Sequence, residues 1–234
     1  MIVKYFETPC PHFIIDNFLP NRASQEILQE VIDLESQYTQ AGVGAIQENL
    51  AHKEECETCK LQVDISKNTI RDNQVIYLDH IFAYKRDQSK TLTYLNHKIC
   101  EDFEFINEME KANHMFPLIN TVNTSETLVS RYGKCDFYGW HYDSLSHREL
   151  RLITISYYVN KEPLQFDGGR IMFYNKETKE KKAIEPKHNR AVIFMSTNAL
   201  HSVEHVNLSG KKWEEGRFSV QFWLGFNNQH KFRD

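Results

Sequence analysis

The chain has 234 residues, 41% of them hydrophobic and 12% aromatic, enough to bury one full core. With 28 basic against 32 acidic residues, its net charge of -4 offers no nucleic-acid footprint, and no apolar run approaches the roughly 20 residues of a membrane span. Five cysteines (Cys10, Cys56, Cys59, Cys100 and Cys135) form an odd, scattered set rather than a disulfide framework, and the N-terminus lacks a signal-peptide core. The expectation is a cytoplasmic protein with reduced thiols.

In chain order, residues 11–20 read as a short buried strand ending in a turn. Asn21 or Ser24 would then cap a helix running to about Ser36, with Ile27, Leu28, Val31, Ile32 and Leu34 as its apolar stripe. Residues 40–60 are weakly periodic and carry Gly42 and Gly44, which predicts a surface loop. Within it, Cys56 and Cys59 with His52 have zinc-like local spacing but no second pair, so a solvated loop is the simpler reading. Residues 75–78 look like a strand. Ser89 to about Lys111 is predicted as one helix, with Leu92, Leu95, Ile99, Phe103 and Ile106 at helical spacing.

From Thr127 the pattern changes to eight short strands separated by turns: 127–132, 137–142, 151–159, 170–174, 181–184, 191–195, 201–206 and 217–224. That spacing predicts a double-sheet jelly roll with the helices against one sheet, an α+β arrangement. A single domain over 1–234 is expected, with 1–126 as helical support and 127–228 as the β core.

His141 and Asp143 sit two residues apart on a predicted strand edge, where alternation turns both the same way. His201 opens a later strand just after an apolar one. Two imidazoles and one carboxylate on one face form a metal site with open positions, as non-haem Fe(II) oxygenases require. An isolated His-x-Asp is common by chance, but a histidine without function usually lies inside an apolar run, not at its edge. The carboxylate matters: Gly or Ala at position 143 would free a place for halide, whereas Asp143 argues for hydroxylation.

On the last strand, Arg217, Ser219, Gln221 and Trp223 share one face, and Phe218, Val220, Phe222 and Leu224 the other. Polar and cationic groups inside a jelly roll are costly unless an anion meets them. Arg217 suits the distal acid of 2-oxoglutarate, which it would bind through two parallel hydrogen bonds. Thr154, Ser156 and Tyr158 likewise share a face and would line a polar pocket.

Several stretches, in order, resemble the prolyl 4-hydroxylase-like Fe(II)/2-oxoglutarate dioxygenases. They are Leu128-Val-Ser-Arg-Tyr-Gly, Phe137-Tyr-Gly-Trp-His-Tyr-Asp, Ile155-Ser-Tyr-Tyr-Val-Asn, Asp167-Gly-Gly-Arg-Ile, Ile184-Glu-Pro-Lys, Ala191-Val-Ile-Phe, His201-Ser-Val and Gly216-Arg-Phe-Ser. Residues 13–19 also look like that family's first strand. The resemblance implies a double-stranded β-helix with iron on His141, Asp143 and His201. It puts Arg217 on the 2-oxoglutarate distal carboxylate, with Tyr158, Tyr132 and Ser219 at matching cosubstrate positions.

The cosubstrates implied are 2-oxoglutarate and O2, with ascorbate as reductant. A departure is the gap of 16 positions between His201 and Arg217, longer than the family's usual spacing, so 207–215 looks like an inserted loop near the site. Arg151, Tyr138, Trp140 and Trp223 are candidate substrate contacts. The expected activity is hydroxylation of an unactivated C–H, first of a prolyl residue in a peptide. A hydroxylase or desaturase of a free amino acid or small metabolite is the alternative, and a non-catalytic metal- or ligand-binding β-barrel is an alternative of another class. Oligomeric state is not legible.

Overall fold

The computed structural model describes residues 1–41, 71–113, 121–144 and 149–227. The elements run β1 (Ile2–Phe6), β2 (His12–Asp16), α1 (Asn21–Asp33), β3 (Thr39–Gln40), β4 (Arg71–Asp72), β5 (Gln74–Tyr77), α2 (Leu78–Ile81), α3 (Lys90–Asn96), α4 (Phe103–Ala112), β6 (Thr124–Tyr132), β7 (Phe137–His141), β8 (Glu149–Tyr158), β9 (Phe166–Gly168), β10 (Ile171–Tyr174), β11 (Lys181–Ile184), β12 (Arg190–Met195), β13 (His201–Val203), β14 (Val206–Leu208) and β15 (Arg217–Asn227). An eight-stranded sheet, ordered β1-β2-β12-β8-β15-β6-β5-β3, faces a five-stranded one ordered β11-β10-β13-β7-β4. Every pairing is antiparallel, and the result is the α+β, double-stranded β-helix architecture anticipated.

Strict alternation along the central strands sorts the residues by layer. Ile153, Ile155 and Tyr157 on β8 and Phe218, Val220 and Phe222 on β15 turn outward to meet Ile27 and Val31 of α1 and Leu92, Phe105 and Met109 of α3 and α4. The opposite faces of β8 and β15 therefore turn Thr154, Ser156, Arg217 and Ser219 inward between the sheets, where all four are buried. Burying the apolar face behind the sheet fixes the register, and a slip by one residue would exchange the two sets.

Several sequence expectations need correcting. The first 126 residues supply strands as well as helices, since β1 and β2 extend the large sheet beyond β12. Pro20 occupies the N-cap position of α1 with no side-chain cap, and Ser24 instead donates to the Asn21 carbonyl. The helix expected over 89–111 is broken. His97–Glu101 forms a π-turn, and Asp102 then caps α4, its Oδ1 accepting from the Phe105 N–H at 3.0 Å. The wider turn shifts the phase of everything after it. Phe105, Ile106 and Met109 face the core, and Phe103 is 77% exposed instead of buried.

The strand expected over 201–206 divides into β13 and β14, the latter pairing with β9 in a separate ribbon. Cys10 and Cys100 are free thiols, whereas Cys135 is disulfide-bonded, which the scattered-thiol reading did not anticipate. The loop predicted over 40–60, with Cys56, Cys59 and His52, lies outside the described residues apart from its first two positions. Among those described, no helix is long and apolar enough to cross a membrane.

Candidate active site

His141 ends β7, Asp143 follows it directly, and His201 begins β13, the strand paired with β7 with His201 opposite His141. One ligand atom from each residue lies within 4.8 Å of the others, and all three residues are buried. His141 Nε2 is 3.5 Å from Asp143 Oδ1, and His201 Nε2 is 3.6 Å from Asp143 Oδ2. Each imidazole is oriented by its other nitrogen. His141 Nδ1 donates to the Gly139 carbonyl at 2.8 Å and His201 Nδ1 to the Ala199 carbonyl at 2.9 Å. A carbonyl only accepts, so Nδ1 carries the proton and both Nε2 lone pairs turn inward, as metal ligation requires.

Burial, and then the neighbouring His141, pushes the His201 imidazole down to about 4, which keeps it in the neutral form a metal binds. Burial opposes ionisation of Asp143, but the His201 and His141 rings outweigh it and hold the carboxyl well below the usual carboxylate range. The Thr154 hydroxyl donates to Asp143 Oδ2 at 2.8 Å and is itself 2.8 Å from the Ser196 hydroxyl. Trp223 Nε1 lies near the same carboxylate without a hydrogen bond of normal length. The donor set, two imidazole nitrogens turned inward and one held carboxylate, fits a divalent iron with room for further ligands.

Arg217, at the start of β15, is 1% exposed. Its Nε donates to the Gly169 carbonyl at 3.0 Å and its Nη1 to Ser219 Oγ at 2.7 Å. The guanidinium carbon lies 4.7 Å from the Tyr132 ring centre and 5.0 Å from that of Tyr158. Gly169 has φ +62°, and a Cβ there would come within 2.9 Å of Val206 and 3.3 Å of Arg217 Cδ, so only glycine lets the backbone approach this closely. Among the described residues no carboxylate pairs with Arg217. The Tyr158 hydroxyl is buried near Ser156, again without a hydrogen bond of normal length. A buried cation between two rings, with donors to spare, is a receptor for a small carboxylate.

The triad, Arg217, Tyr132, Tyr138, Arg151 and Trp223 all line one cavity between the sheets, as do Ser156 and Gln221. Ser219 lies behind its wall, joining Arg217 to Gln221, whose Nε2 donates to Ser219 Oγ at 2.9 Å. Trp140 does not line the cavity and packs near Tyr174, ring centres 5.8 Å apart. Arg151 is held by Glu126 at 2.6 Å, and its Nη1 reaches the Asp143 carbonyl at 3.4 Å. None of residues 207–215 lines the cavity; Trp213 from that stretch packs on Phe218 and Tyr38 behind β15.

Two features escaped the sequence. The pairing of β7 with β13 slips between His201 and Val203, which face His141 and Tyr138, so β7 carries one extra residue. That bulge brings Tyr138 to the His141 side, where the rings stack with centres 3.6 Å apart and planes at 15°. Plain alternation put it on the other. Arg71, on the two-residue β4, also lines the cavity. A strand so short leaves no periodic signal, and only its pairing with β7 brings it there.

A model of the 2OG-Fe(II) oxygenase superfamily matches residues 127–225. Among solved structures, the fold is similar to a Pseudomonas putida prolyl-4-hydroxylase at 17% identity and TM-score 0.61, with 92% of each chain covered. It is similar also to a Trichoplax adhaerens prolyl hydroxylase, solved in complex with a peptide fragment of the hypoxia inducible factor oxygen degradation domain. That likeness has 18% identity and TM-score 0.61 over 92% of this chain and 83% of that one. A 2OG-Fe(II) oxygenase family oxidoreductase from Burkholderia pseudomallei matches at 12% identity and TM-score 0.53, covering 93% and 88%. Residues 127–225 thus match the 2OG-Fe(II) oxygenase superfamily, and the chain shares its fold with solved prolyl hydroxylases, which together support a 2-oxoglutarate-dependent dioxygenase.

Proposed function

We propose that the protein hydroxylates a prolyl residue of a peptide, with iron on His141, Asp143 and His201 and 2-oxoglutarate anchored by Arg217. The observation that carries the reading is the pairing, in one cavity, of a His-Asp-His cluster with a buried arginine that lacks a counter-ion among the described residues. When bound, ferrous iron with 2-oxoglutarate and O2 supplies oxidative decarboxylation to succinate and CO2, and one oxygen atom becomes the hydroxyl of the product.

The chain's own part is positioning. The carbonyls of Gly139 and Ala199 aim the imidazoles, and Thr154 fixes one oxygen of Asp143. Ser219 and Gly169 hold the guanidinium for the distal carboxylate, and Tyr132 and Tyr158 form the walls beside it. Leu128, Ile171 and Val203 give the cavity apolar walls that keep water from the reacting carbon. Support for a prolyl peptide comes from the architecture shared with prolyl hydroxylases, one of them solved with a peptide.

The test is succinate release with Fe(II), ascorbate and 2-oxoglutarate over a panel of proline-containing peptides and a panel of free amino acids, with mass spectrometry of the products. A peptide gaining one oxygen supports the proposal. Stimulation only by a free amino acid moves the enzyme to small-molecule hydroxylation, and loss of two hydrogens makes it a desaturase.

A further inference from the structure

Three arginines line the cavity, and they are not equivalent. Arg217 sits between Tyr132 and Tyr158 and is taken by the cosubstrate on the reading above. Arg151 is already neutralised: Glu126 Oε2 accepts from its Nη2 at 2.6 Å and its Nε at 3.1 Å, and Trp223 covers its face at 3.7 Å. Arg71 is different. It is half-buried, and its Nε donates to Asn73 Oδ1 at 2.6 Å, a buried amide that fixes the direction of the guanidinium.

The guanidinium carbon lies 4.5 Å from the centre of the Tyr138 ring, whose other partner in stacking is His141. Guanidinium, phenol and imidazole thus form a stack that ends at the triad. Among the described residues no carboxylate pairs with Arg71. With Nε committed, its two terminal nitrogens remain as a planar edge of donors, the shape that matches a carboxylate. A positioned, half-desolvated cation on a cavity wall favours an anionic group on whatever enters.

We propose that Arg71 receives a carboxylate of the substrate and so selects acidic substrates, setting the target carbon at a fixed distance from His141. The inference rests on the dioxygenase reading for the identity of the cavity as a substrate site. The carboxylate has two possible sources: an acidic side chain flanking the target prolyl residue, or the α-carboxylate of a free amino acid.

Calorimetric binding to the full chain, supplied with Mn(II) and 2-oxoglutarate, separates them. Two matched pairs serve as probes: proline-centred peptides flanked by Glu or by Gln, and L-proline against L-prolinamide. We expect the acid member of one pair to bind about tenfold or more tightly, as a charge-assisted hydrogen bond commands. The pair that discriminates names the source. Arg71→Gln should abolish the discrimination, and Arg71→Lys should keep part of it.

Equal binding within both pairs overturns the proposal. So does discrimination that survives Arg71→Gln, or a weakening of acid and amide alike, which marks a structural role. Succinate formation by the unaltered protein is read in parallel. Its absence would sink the dioxygenase reading, while the binding pairs would still decide on Arg71.

Discussion

Replacing Arg217 by Met separates its charge from the rest of the site. The guanidinium is 1% exposed and spends one N–H on Gly169 and one on Ser219, leaving three of its five for a ligand. No ion pair among the described residues must break for a carboxylate to bind. Truncating one side of a buried, hydrogen-bonded charge pair costs about 2–5 kcal/mol, which is roughly 30- to 5,000-fold in affinity. Arg217→Met should weaken 2-oxoglutarate by that range, and Arg217→Lys by less, since it keeps the charge and loses the planar fork.

The assay is calorimetric titration of the Mn(II)-supplemented protein with 2-oxoglutarate and with 2-oxobutyrate, which lacks the distal acid. Unaltered protein should prefer 2-oxoglutarate, and Arg217→Met should bind the two about equally, with its affinity for 2-oxobutyrate near that of the parent. Undiminished 2-oxoglutarate binding would refute the assignment of Arg217. A parallel loss of 2-oxobutyrate would mean that the site had collapsed around the gap.

Thr154→Val removes the hydroxyl that holds Asp143 Oδ2 at 2.8 Å while keeping the side-chain volume. It should weaken Mn(II) about 10- to 100-fold by titration, the usual effect of losing such a support, and unchanged affinity would count against Thr154 as the support of Asp143. Phe222 is fully buried between sheet and helices, so Phe222→Ala should cost about 3–5 kcal/mol and lower Tm by roughly 10 °C in a thermal melt. A drop of only a degree or two would place it outside the core.

His12 is fully buried between Phe6 and Phe173, its Nδ1 on the Cys10 carbonyl at 2.7 Å, and burial pushes it down to about 4 from an ordinary 6.5. Because the native value is depressed, the unfolded chain takes the proton first. Its contribution is complete above pH 6.5 and is lost as pH falls from 6.5 to 4, by about 3 kcal/mol in all. His12→Phe should flatten that part of the stability-pH curve from urea unfolding. Parallel curves for the two proteins would contradict the reasoning.

What the sequence carried and what it hid divide along physical lines. His141, Asp143 and His201 were legible because edge histidines beside apolar strands are costly without a role. Arg217 and Ser219 were legible because alternation on an 11-residue strand leaves no other face for them. Tyr138 was legible as a substrate contact but its stacking on His141 was not, because a single extra residue in β7 reverses alternation, and nothing in Phe137-Tyr-Gly-Trp-His announces a bulge beyond its glycine. Phe103 was misplaced for the helical version of the same reason, a π-turn that alters the phase after His97. Arg71 was invisible because its place depends on pairing across 67 positions with Tyr138, which no local pattern encodes.

The most direct test of the whole account is succinate formed from 2-oxoglutarate with Fe(II) and O2 by the unaltered protein and by His141→Ala, Asp143→Ala and His201→Ala, each checked for folding by its thermal melt. The account predicts succinate from the first, stopped by a chelator and restored by Fe(II), and none from the three folded variants. Succinate from any of those variants at the unaltered rate, or none from the unaltered protein when it is loaded with iron, would contradict it.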